Sequence, residues 1–307
     1  MKSSTFSFKD NEGFELFTYC WEPEDLKKAR AVVQVVHGLA EHAARYERFA
    51  NFATEKGFIV VADDHRGHGK TAKTKEDLGF IGANNGFSGM VDDEYQLTGI
   101  IKSKYNNLPV FMLGHSMGSF IAQRYIEQYG RELHGVILSG TAGPNPGLLI
   151  PGKIVAKMVM LINGPRKKSN FLNNLSFGAY NKNFKPNRTE FDWLSCDNQE
   201  VDKYIADPLC GFVCSSSLYY FLTSGMLEMH KKRNLSMIPR SIPVLIASGA
   251  KDPVGAKTVP ELYKIYLNLG LNDVELKLYE DKRHEILNEI NIEEVTRDFL
   301  FWIEKHL

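Results

Sequence analysis

The sequence Gly114-His115-Ser116-Met117-Gly118 constrains the fold more than any other part of the chain. An apolar run of strand length, residues 108–113, precedes it, and residues 119–129 follow with apolar side chains at helical spacing. Ser116 therefore stands where a buried strand turns sharply into a helix. The two glycines keep side chains out of this tight turn, and a serine at such a turn is typical of an exposed nucleophile. The alternative is a glycine-rich turn with an incidental serine.

Strand-like and helix-like segments alternate on both sides of this motif. An antiparallel hairpin is predicted from residues 5–8 and 14–21, and the C-terminal segment that contains Val295 and Phe299 is amphipathic. Further strands are predicted at 31–36, 58–62, 108–113, 134–139, 243–247 and 274–278, and helices at 46–56, 90–105, 119–129 and 259–269. This alternation favours an α/β fold with a mainly parallel, twisted sheet and helices on both faces.

The alternation breaks after a cluster of glycines and prolines at residues 140–147. From there to about residue 240 no buried strand is predicted, although residues 154–162 and 216–230 have helical patterns. The pattern therefore indicates a core made of residues 1–143 and 241–307, with residues 144–240 inserted as a mostly helical cap.

Composition excludes several classes of protein. The 307 residues include 37 basic and 37 acidic side chains, so no overall charge attracts nucleic acid. The four cysteines form no regular framework and indicate free thiols in a reducing compartment, which predicts a cytoplasmic protein. The first residues lack the apolar core of a signal peptide, and no uncharged apolar run long enough for a transmembrane helix is found.

A serine nucleophile needs a base, and the base needs an acid to hold its tautomer. Asp252 follows the predicted strand 243–247 and His284 follows the strand 274–278, so both lie where parallel strands end near Ser116. The order serine, acid, histidine is also the one expected for this arrangement. We therefore predict Ser116, Asp252 and His284 as a catalytic triad.

Each partner has an alternative. Asp252 precedes a proline and could simply open a turn or cap the following helix, and His284 could be an ordinary surface histidine. Asp273 and Asp281 compete for the role of the acid, and His306 is the one other histidine after Asp252.

An oxyanion formed at Ser116 needs two backbone N–H donors. The first turn of the predicted helix offers the N–H of Met117. The loop His37-Gly38-Leu39, which follows the strand 31–36, offers the N–H of Leu39. The alternative for this loop is a plain glycine turn.

The remaining histidine-rich and glycine-rich patterns do not favour a metal or a cofactor. His37, His42, His65 and His68 fall on predicted loops without an accompanying cysteine or carboxylate cluster. The glycines lack the dinucleotide fingerprint. We therefore expect no metal and no cofactor.

The set of motifs resembles the monoglyceride lipase and lysophospholipase branch of the serine α/β-hydrolases. The matching segments are His37-Gly38-Leu39-Ala40-Glu41-His42, Asp64-His65-Arg66-Gly67-His68-Gly69, Gly114-His115-Ser116-Met117-Gly118, Gly249-Ala250-Lys251-Asp252-Pro253 and His284-Glu285. The resemblance implies Ser116 as nucleophile, Asp252 and His284 as its partners, Leu39 and Met117 as oxyanion donors, and a cap that forms an acyl-binding tunnel. Ser119 stands where many relatives carry a glycine.

The sequence thus predicts a hydrolase that cleaves carboxylic esters of monoacyl lipids through an acyl-enzyme. A small-ester esterase or peptidase with the same triad is the first alternative, and a ligand-binding protein without catalysis is the second. The apolar residues from 148 to 162 cover more than one helical face, so they are expected to line a tunnel, to rest transiently on a membrane surface, or to be buried on all sides.

Overall fold

The computed structural model describes residues 1–106 and 108–307 of the chain. Its sheet contains β1 (Lys2–Lys9), β2 (Glu15–Glu22), β3 (Ala31–Val36), β4 (Phe58–Asp63), β5 (Val110–His115), β6 (Gly135–Ser139), β7 (Val244–Gly249) and β8 (Val274–Tyr279). The spatial order is β1-β2-β4-β3-β5-β6-β7-β8. Strands β1 and β2 form an antiparallel hairpin, and β2 also pairs antiparallel with β4. The strands β3 to β8 are all parallel to one another. The mainly parallel α/β sheet and its N-terminal hairpin confirm the prediction.

Helices cover both faces of the sheet. They are α1 (Glu47–Glu55), α2 (Gly86–Lys104), α3 (Met117–Tyr129), α4 (Pro146–Asn163), α5 (Asn170–Phe177), α6 (Asn198–Ala206), α7 (Ser216–Met229), α8 (Lys232–Leu235), α9 (Val259–Asn268) and α10 (Ile292–Lys305). Alternate residues of β3 point to opposite faces: Val32 packs in a core with α2, α3 and α9, and Val33 packs in a second core with α1 and α10. Helix α2 begins at Gly86, four residues before the predicted start at residue 90, and a Cβ atom on Gly86 would collide with Ile81 and Phe221.

Between β6 and β7 the described chain contains the five helices α4 to α8 and no strand, only an isolated bridge between Lys168 and Ser215. All five helices fall inside residues 144–240, the range predicted for the cap. Helix α7 contacts α2 and α3, and α4 packs on α7. The segment predicted as the cap therefore packs on α2 and α3 through α7.

Helix α4 is the one helix of the described residues that is long and apolar enough to cross a membrane, by length and composition alone. It contains Lys153 and Lys157, so it is not an uncharged run. A single helix of this kind is weak support for a membrane span, and the expectation that the chain has none stays a prediction.

Candidate active site

Ser116 lies at the turn from β5 into α3 with φ 51° and ψ −118°. This conformation is rare for a residue with a side chain, and its surroundings leave no room for larger neighbours. A Cβ atom on Gly114 would lie 2.5 Å from the carbonyl oxygen of Gly118, and one on Gly118 would lie 1.9 Å from the carbonyl oxygen of Val36. The two glycines are thus required by the close approach of backbone, as the motif predicts. Ser119 fits because its hydroxyl donates a hydrogen bond to the Ser116 carbonyl at 2.6 Å.

Asp252 and His284 are brought together at the carboxyl ends of β7 and β8. Nδ1 of His284 lies 3.0 Å from Oδ2 of Asp252, and both side chains are buried. The Asp252 carboxylate also accepts hydrogen bonds from the Ser248 hydroxyl at 3.2 Å and from the Val254 N–H at 2.8 Å. These bonds fix the carboxylate in the orientation that faces the imidazole.

The competing acids lie elsewhere. Asp273 contacts Nε2 of His306 at 3.1 Å, and Asp281 is exposed and pairs with Lys251 at 2.6 Å. Of the acids predicted from sequence as partners of His284, the structure therefore brings only Asp252 to that ring.

The two histidines beside Ser116 differ in their electrostatics. Burial alone would lower the pKa of His284, but the negative charge of Asp252 and its hydrogen bond outweigh burial and raise that pKa above its ordinary value. The ring of His115 lies 4.8 Å from that of His284. Burial, together with the positive charge of His284, lowers the pKa of His115 to about 4. His115 therefore stays neutral at pH 7, whereas Asp252 favours the protonated form of the His284 ring.

The two predicted oxyanion donors come from two different elements, the start of α3 and the loop after β3. Met117 is the first residue of α3, so its N–H has no acceptor within the helix. Leu39 follows β3 and lines the same cavity as Ser116 and His284. The preceding Gly38 N–H donates to Oε1 of Glu41 at 2.6 Å, which ties the loop down beside Leu39.

A cavity of about 400 Å³ contains Ser116 and His284 at its surface. Its aromatic residues come from the predicted cap and are Phe177, Phe191, Trp193, Tyr204 and Phe212. Its polar residues include Asn173, Asn174, Asn181, Asn187 and Glu190. No residue of α4 lines the cavity within the described part of the chain, so the expectation that this helix lines an acyl tunnel is wrong.

Residues 27–291 match the family described as "Serine aminopeptidase, S33". The chain belongs to this family. It is 29% identical over 312 residues to a monoacylglycerol lipase of Mycolicibacterium smegmatis, covering 99% of this chain and 98% of the relative. It is also 29% identical to a human monoglyceride lipase, covering 91% of this chain and 82% of that protein. The crystal structure of a thermostable carboxyl esterase from Bacillus coagulans superposes with a TM-score of 0.91 at 32% identity, covering 99% of both chains.

The fold of this S33-family chain is therefore the α/β-hydrolase fold, and the resemblance to monoglyceride lipases is confirmed. The chain is a carboxylic ester hydrolase by family and by these relatives. The comparisons assign no roles to individual residues. The roles of Ser116, Asp252, His284, Leu39 and Met117 rest on the geometry described above.

Sequence reasoning missed a buried ion cluster next to the triad. The Arg45 guanidinium donates to Glu41 at 2.6 Å and to both oxygens of Glu285 at 2.7 and 2.6 Å. Glu285 follows His284 directly, and Glu41 holds the Gly38 N–H. The cluster thus joins the loop of the predicted oxyanion donor to the loop of the histidine. Both glutamates belong to sequence motifs, at residues 37–42 and 284–285, but no sequence pattern indicates that Arg45 pairs with both.

The predicted cap also reaches the histidine through its backbone. The N–H groups of His284 and Glu285 donate to the carbonyl oxygens of Trp193 and Leu194 at 3.4 and 2.7 Å. The Trp193 ring lies 5.2 Å from the His284 ring. Periodicity could not predict these contacts, because the segment around Trp193 has neither a helical nor a strand pattern.

Three groups of side chains in the described residues come close enough to share an ion. They are Asp63 with His65 and Glu94, His42 with Asp207 and Cys210, and Asp273 with Glu275 and His306. In the first group Nδ1 of His65 lies 3.4 Å from Asp63 and 3.3 Å from Glu94. Burial, followed by the charge of Asp63, raises the pKa of Glu94, so a proton can satisfy this cluster. The expectation of no metal stays a prediction.

Proposed function

We propose that the chain hydrolyses the ester of a monoacyl lipid, with monoacylglycerol as the preferred class, through a covalent acyl-enzyme on Ser116. The observation that carries the proposal is a serine at a strained strand–helix turn that shares one cavity with His284, which is in turn bonded to the buried Asp252. The monoglyceride lipases among the relatives and the carboxyl esterase structure support it.

In the first half of the reaction Nε2 of His284 accepts the Ser116 proton while Oγ attacks the ester carbonyl carbon. Asp252 faces Nδ1 and so keeps the proton on that nitrogen, which leaves Nε2 free as the base. The N–H groups of Leu39 and Met117 stabilise the negative oxygen of the tetrahedral intermediate. The intermediate expels the alcohol, which takes the proton from His284. Water then repeats the sequence on the acyl-enzyme and releases the fatty acid.

The cavity favours a neutral head group. Its described lining residues include Glu190 and no lysine or arginine, and its two other carboxylates, Glu41 and Glu285, are already paired with Arg45. A lysophospholipid would bring a phosphate into a lining without a lysine or arginine, whereas the hydroxyls of a monoacylglycerol can donate to the Glu190 carboxylate and to amide oxygens. The aromatic residues supply apolar surface for one acyl chain, with about 0.8 kcal/mol available for each buried methylene.

A second candidate is the hydrolysis of peptides or small esters with the same triad. The description of the matching family, a serine aminopeptidase, favours it. A protein that binds ligands without catalysis is disfavoured, because the structure retains a serine, a histidine and an acid in one site.

The test compares kcat/KM for monoacylglycerols from acetyl to octanoyl, a lysophosphatidylcholine of matched chain length, and an aminoacyl p-nitroanilide. We expect kcat/KM to rise with chain length, monoacylglycerol to exceed lysophospholipid, and Ser116→Ala to abolish all hydrolysis. A flat or falling chain-length profile with the anilide preferred would contradict lipid-ester hydrolysis and favour a peptidase. Faster cleavage of the lysophospholipid would contradict the proposed preference for a neutral head group.

We also propose transient contact of the predicted cap with a membrane surface. Six side chains of α4 are exposed and apolar, namely Leu148, Ile150, Ile154, Met158, Leu161 and Ile162, and Phe171 and Leu175 of α5 are exposed as well. Exposed apolar side chains grouped in this way are typical of an interaction site.

All four cysteines are free thiols, and we propose the cytoplasm as the location because a reducing compartment preserves them.

A further inference from the structure

The predicted cap bonds to the loop that carries the Leu39 N–H at two places: at His42, whose Nε2 lies 2.9 Å from Oδ2 of Asp207, and at the carbonyl group of Ala40. The carbonyl oxygen of Ala40 accepts a hydrogen bond from the Tyr204 hydroxyl at 2.9 Å and another from the Gly211 N–H at 2.9 Å. Tyr204 belongs to α6, and Gly211 lies in the connection between α6 and α7. Two groups from the segment 144–240 therefore converge on the residue that follows Leu39.

The loop needs such support because its own conformation is unfavourable. Ala40 has φ 54°, in the left-handed region that is unfavourable for a residue with a Cβ atom. On the other side of Leu39, the Gly38 N–H is held by Glu41 at 2.6 Å. The direction of the Leu39 N–H is thus set by one bond to a side chain of the core and two bonds to the predicted cap.

Tyr204 is itself firmly placed. Its side chain is buried, the Arg45 guanidinium lies over its ring at 5.0 Å, and the Phe191 ring lies 5.2 Å away. Burial raises the pKa of the Tyr204 hydroxyl well above its ordinary value. The hydroxyl therefore remains protonated and keeps donating to Ala40.

We propose that Tyr204 is a positioning residue for the oxyanion hole: through Ala40 it aims the Leu39 N–H, so that the hole is complete only when α6 is seated on the core. The proposal rests on the proposed function, in which the Leu39 N–H binds the oxyanion. It makes the segment 144–240 a part of the catalytic machinery as well as a wall of the cavity.

The first experiment is Tyr204→Phe, which removes the hydroxyl and keeps the ring packed on Arg45 and Phe191. Loss of a whole oxyanion donor lowers kcat roughly a hundredfold to a thousandfold. In Tyr204→Phe the Leu39 N–H remains but is less firmly oriented, so kcat should fall about tenfold to a hundredfold. We expect this loss in kcat with KM nearly unchanged, because the oxyanion forms only in the transition state.

The matched control is Tyr125→Phe. The Tyr125 hydroxyl is also buried and donates to Thr98 at 2.9 Å, but it lies in the core between α3 and α2. Both variants lose one buried tyrosine hydrogen bond, and we expect only Tyr204→Phe to lose kcat. An equal loss in both variants would overturn the proposal in favour of a general structural role.

Two further readouts separate positioning from contact with the substrate. The affinity of a trifluoromethyl ketone, which forms a tetrahedral adduct with the serine, should fall by the same factor as kcat in Tyr204→Phe. The affinity of a non-hydrolysable ether analogue should not change.

The loss of kcat in Tyr204→Phe should also be equal for a methyl ester and a glycerol ester of one fatty acid. A loss confined to the glycerol ester would instead make Tyr204 a head-group contact, and unchanged kcat would overturn the proposal. Failure of the proposed function would differ, because wild-type protein would then lack ester hydrolysis or Ser116→Ala would retain it.

Discussion

Arg45 and Glu285 form a two-point ion pair across 240 residues of sequence, with N–O distances of 2.7 and 2.6 Å. The same guanidinium holds Glu41, and all three side chains are largely removed from water. Burial alone would raise the pKa of Glu285, but the charge of Arg45 and its hydrogen bonds outweigh burial and lower it to about 2. Arg45 therefore keeps the Glu285 carboxylate ionised beside the histidine.

Replacing Arg45 by methionine should destabilise the protein strongly. The variant leaves two buried carboxylates without a cation, a change that typically costs about 3–5 kcal/mol in the free energy of unfolding. Because the folded pKa of Glu285 is depressed, its contribution is complete above its ordinary pKa of about 4.5 and disappears as the pH falls toward 2. Urea unfolding at pH 7 measures the cost of the substitution. The same measurement at pH 4 shows how far the contribution of Glu285 has declined.

The control Arg48→Met, which breaks a half-exposed pair with Glu200, should cost less than about 1 kcal/mol, and an equal cost would contradict the prediction.

A fluorophosphonate probe should label Ser116 covalently, since the serine faces the cavity beside His284. Ser116→Ala should fold normally, lose labelling, and reduce kcat by about three orders of magnitude or more. Peptide mass spectrometry locates the label. Ser119→Ala is the matched variant, because Ser119 is buried and bonded to the Ser116 carbonyl, and it should still be labelled at Ser116. A label found on a different serine would disprove the assignment of the nucleophile.

Hydrolysis should decline on the acid side through the titration of His284. The protonated ring cannot accept the serine proton, so kcat/KM is high above the pKa of His284 in the folded protein and declines below it. Asp252 raises that pKa, which places the acid limb above the ordinary value of about 6.5. Asp252→Asn should move the limb to lower pH, because burial then dominates, and should reduce kcat by several orders of magnitude.

The pH–rate profiles of wild type, Asp252→Asn and Asp281→Asn test this assignment. Asp281 is exposed and bonded to Lys251, so its variant should keep the wild-type profile; a shift in Asp281→Asn with none in Asp252→Asn would identify the wrong acid. The raised pKa also means that ionised His284 stabilises the fold below its unfolded pKa, and that this contribution disappears as the pH rises through the folded pKa.

Polar substitution at the exposed end of α4 should weaken membrane contact without changing the chemistry. Leu161 and Ile162 are 71% and 78% exposed, and their transfer into lipid is favourable by roughly 1 kcal/mol or more each. The double variant Leu161→Ser with Ile162→Ser should bind phosphatidylcholine vesicles at least about tenfold less tightly in a flotation assay. Cleavage of p-nitrophenyl acetate should be unchanged. Phe301→Ser is the control, because Phe301 is 68% exposed on α10; a similar loss of binding there would exclude a site specific to α4.

The sequence alone determined the parts of this protein that depend on local patterns. Alternating apolar segments predicted the parallel strands, and parallel strands end at one edge of a sheet, so Ser116, Asp252 and His284 could be placed together before any contact was known. Glycine spacing predicted the turn at Ser116, because backbone approaches of 2.5 Å or less leave no room for a Cβ atom.

Only the tertiary structure decided which distant groups meet around the site, both within the predicted core and between that core and the segment 144–240. The bonds from Tyr204 and Gly211 to Ala40, and from Arg45 to Glu285, join groups about 160 to 240 residues apart in the chain. Neither set has a periodic signature, because each depends on how distant parts of the chain fit together. The same holds for α4: its apolar residues are equally compatible with a tunnel, a buried helix or a lipid-facing surface. Its packing on α7 leaves most of them in solvent.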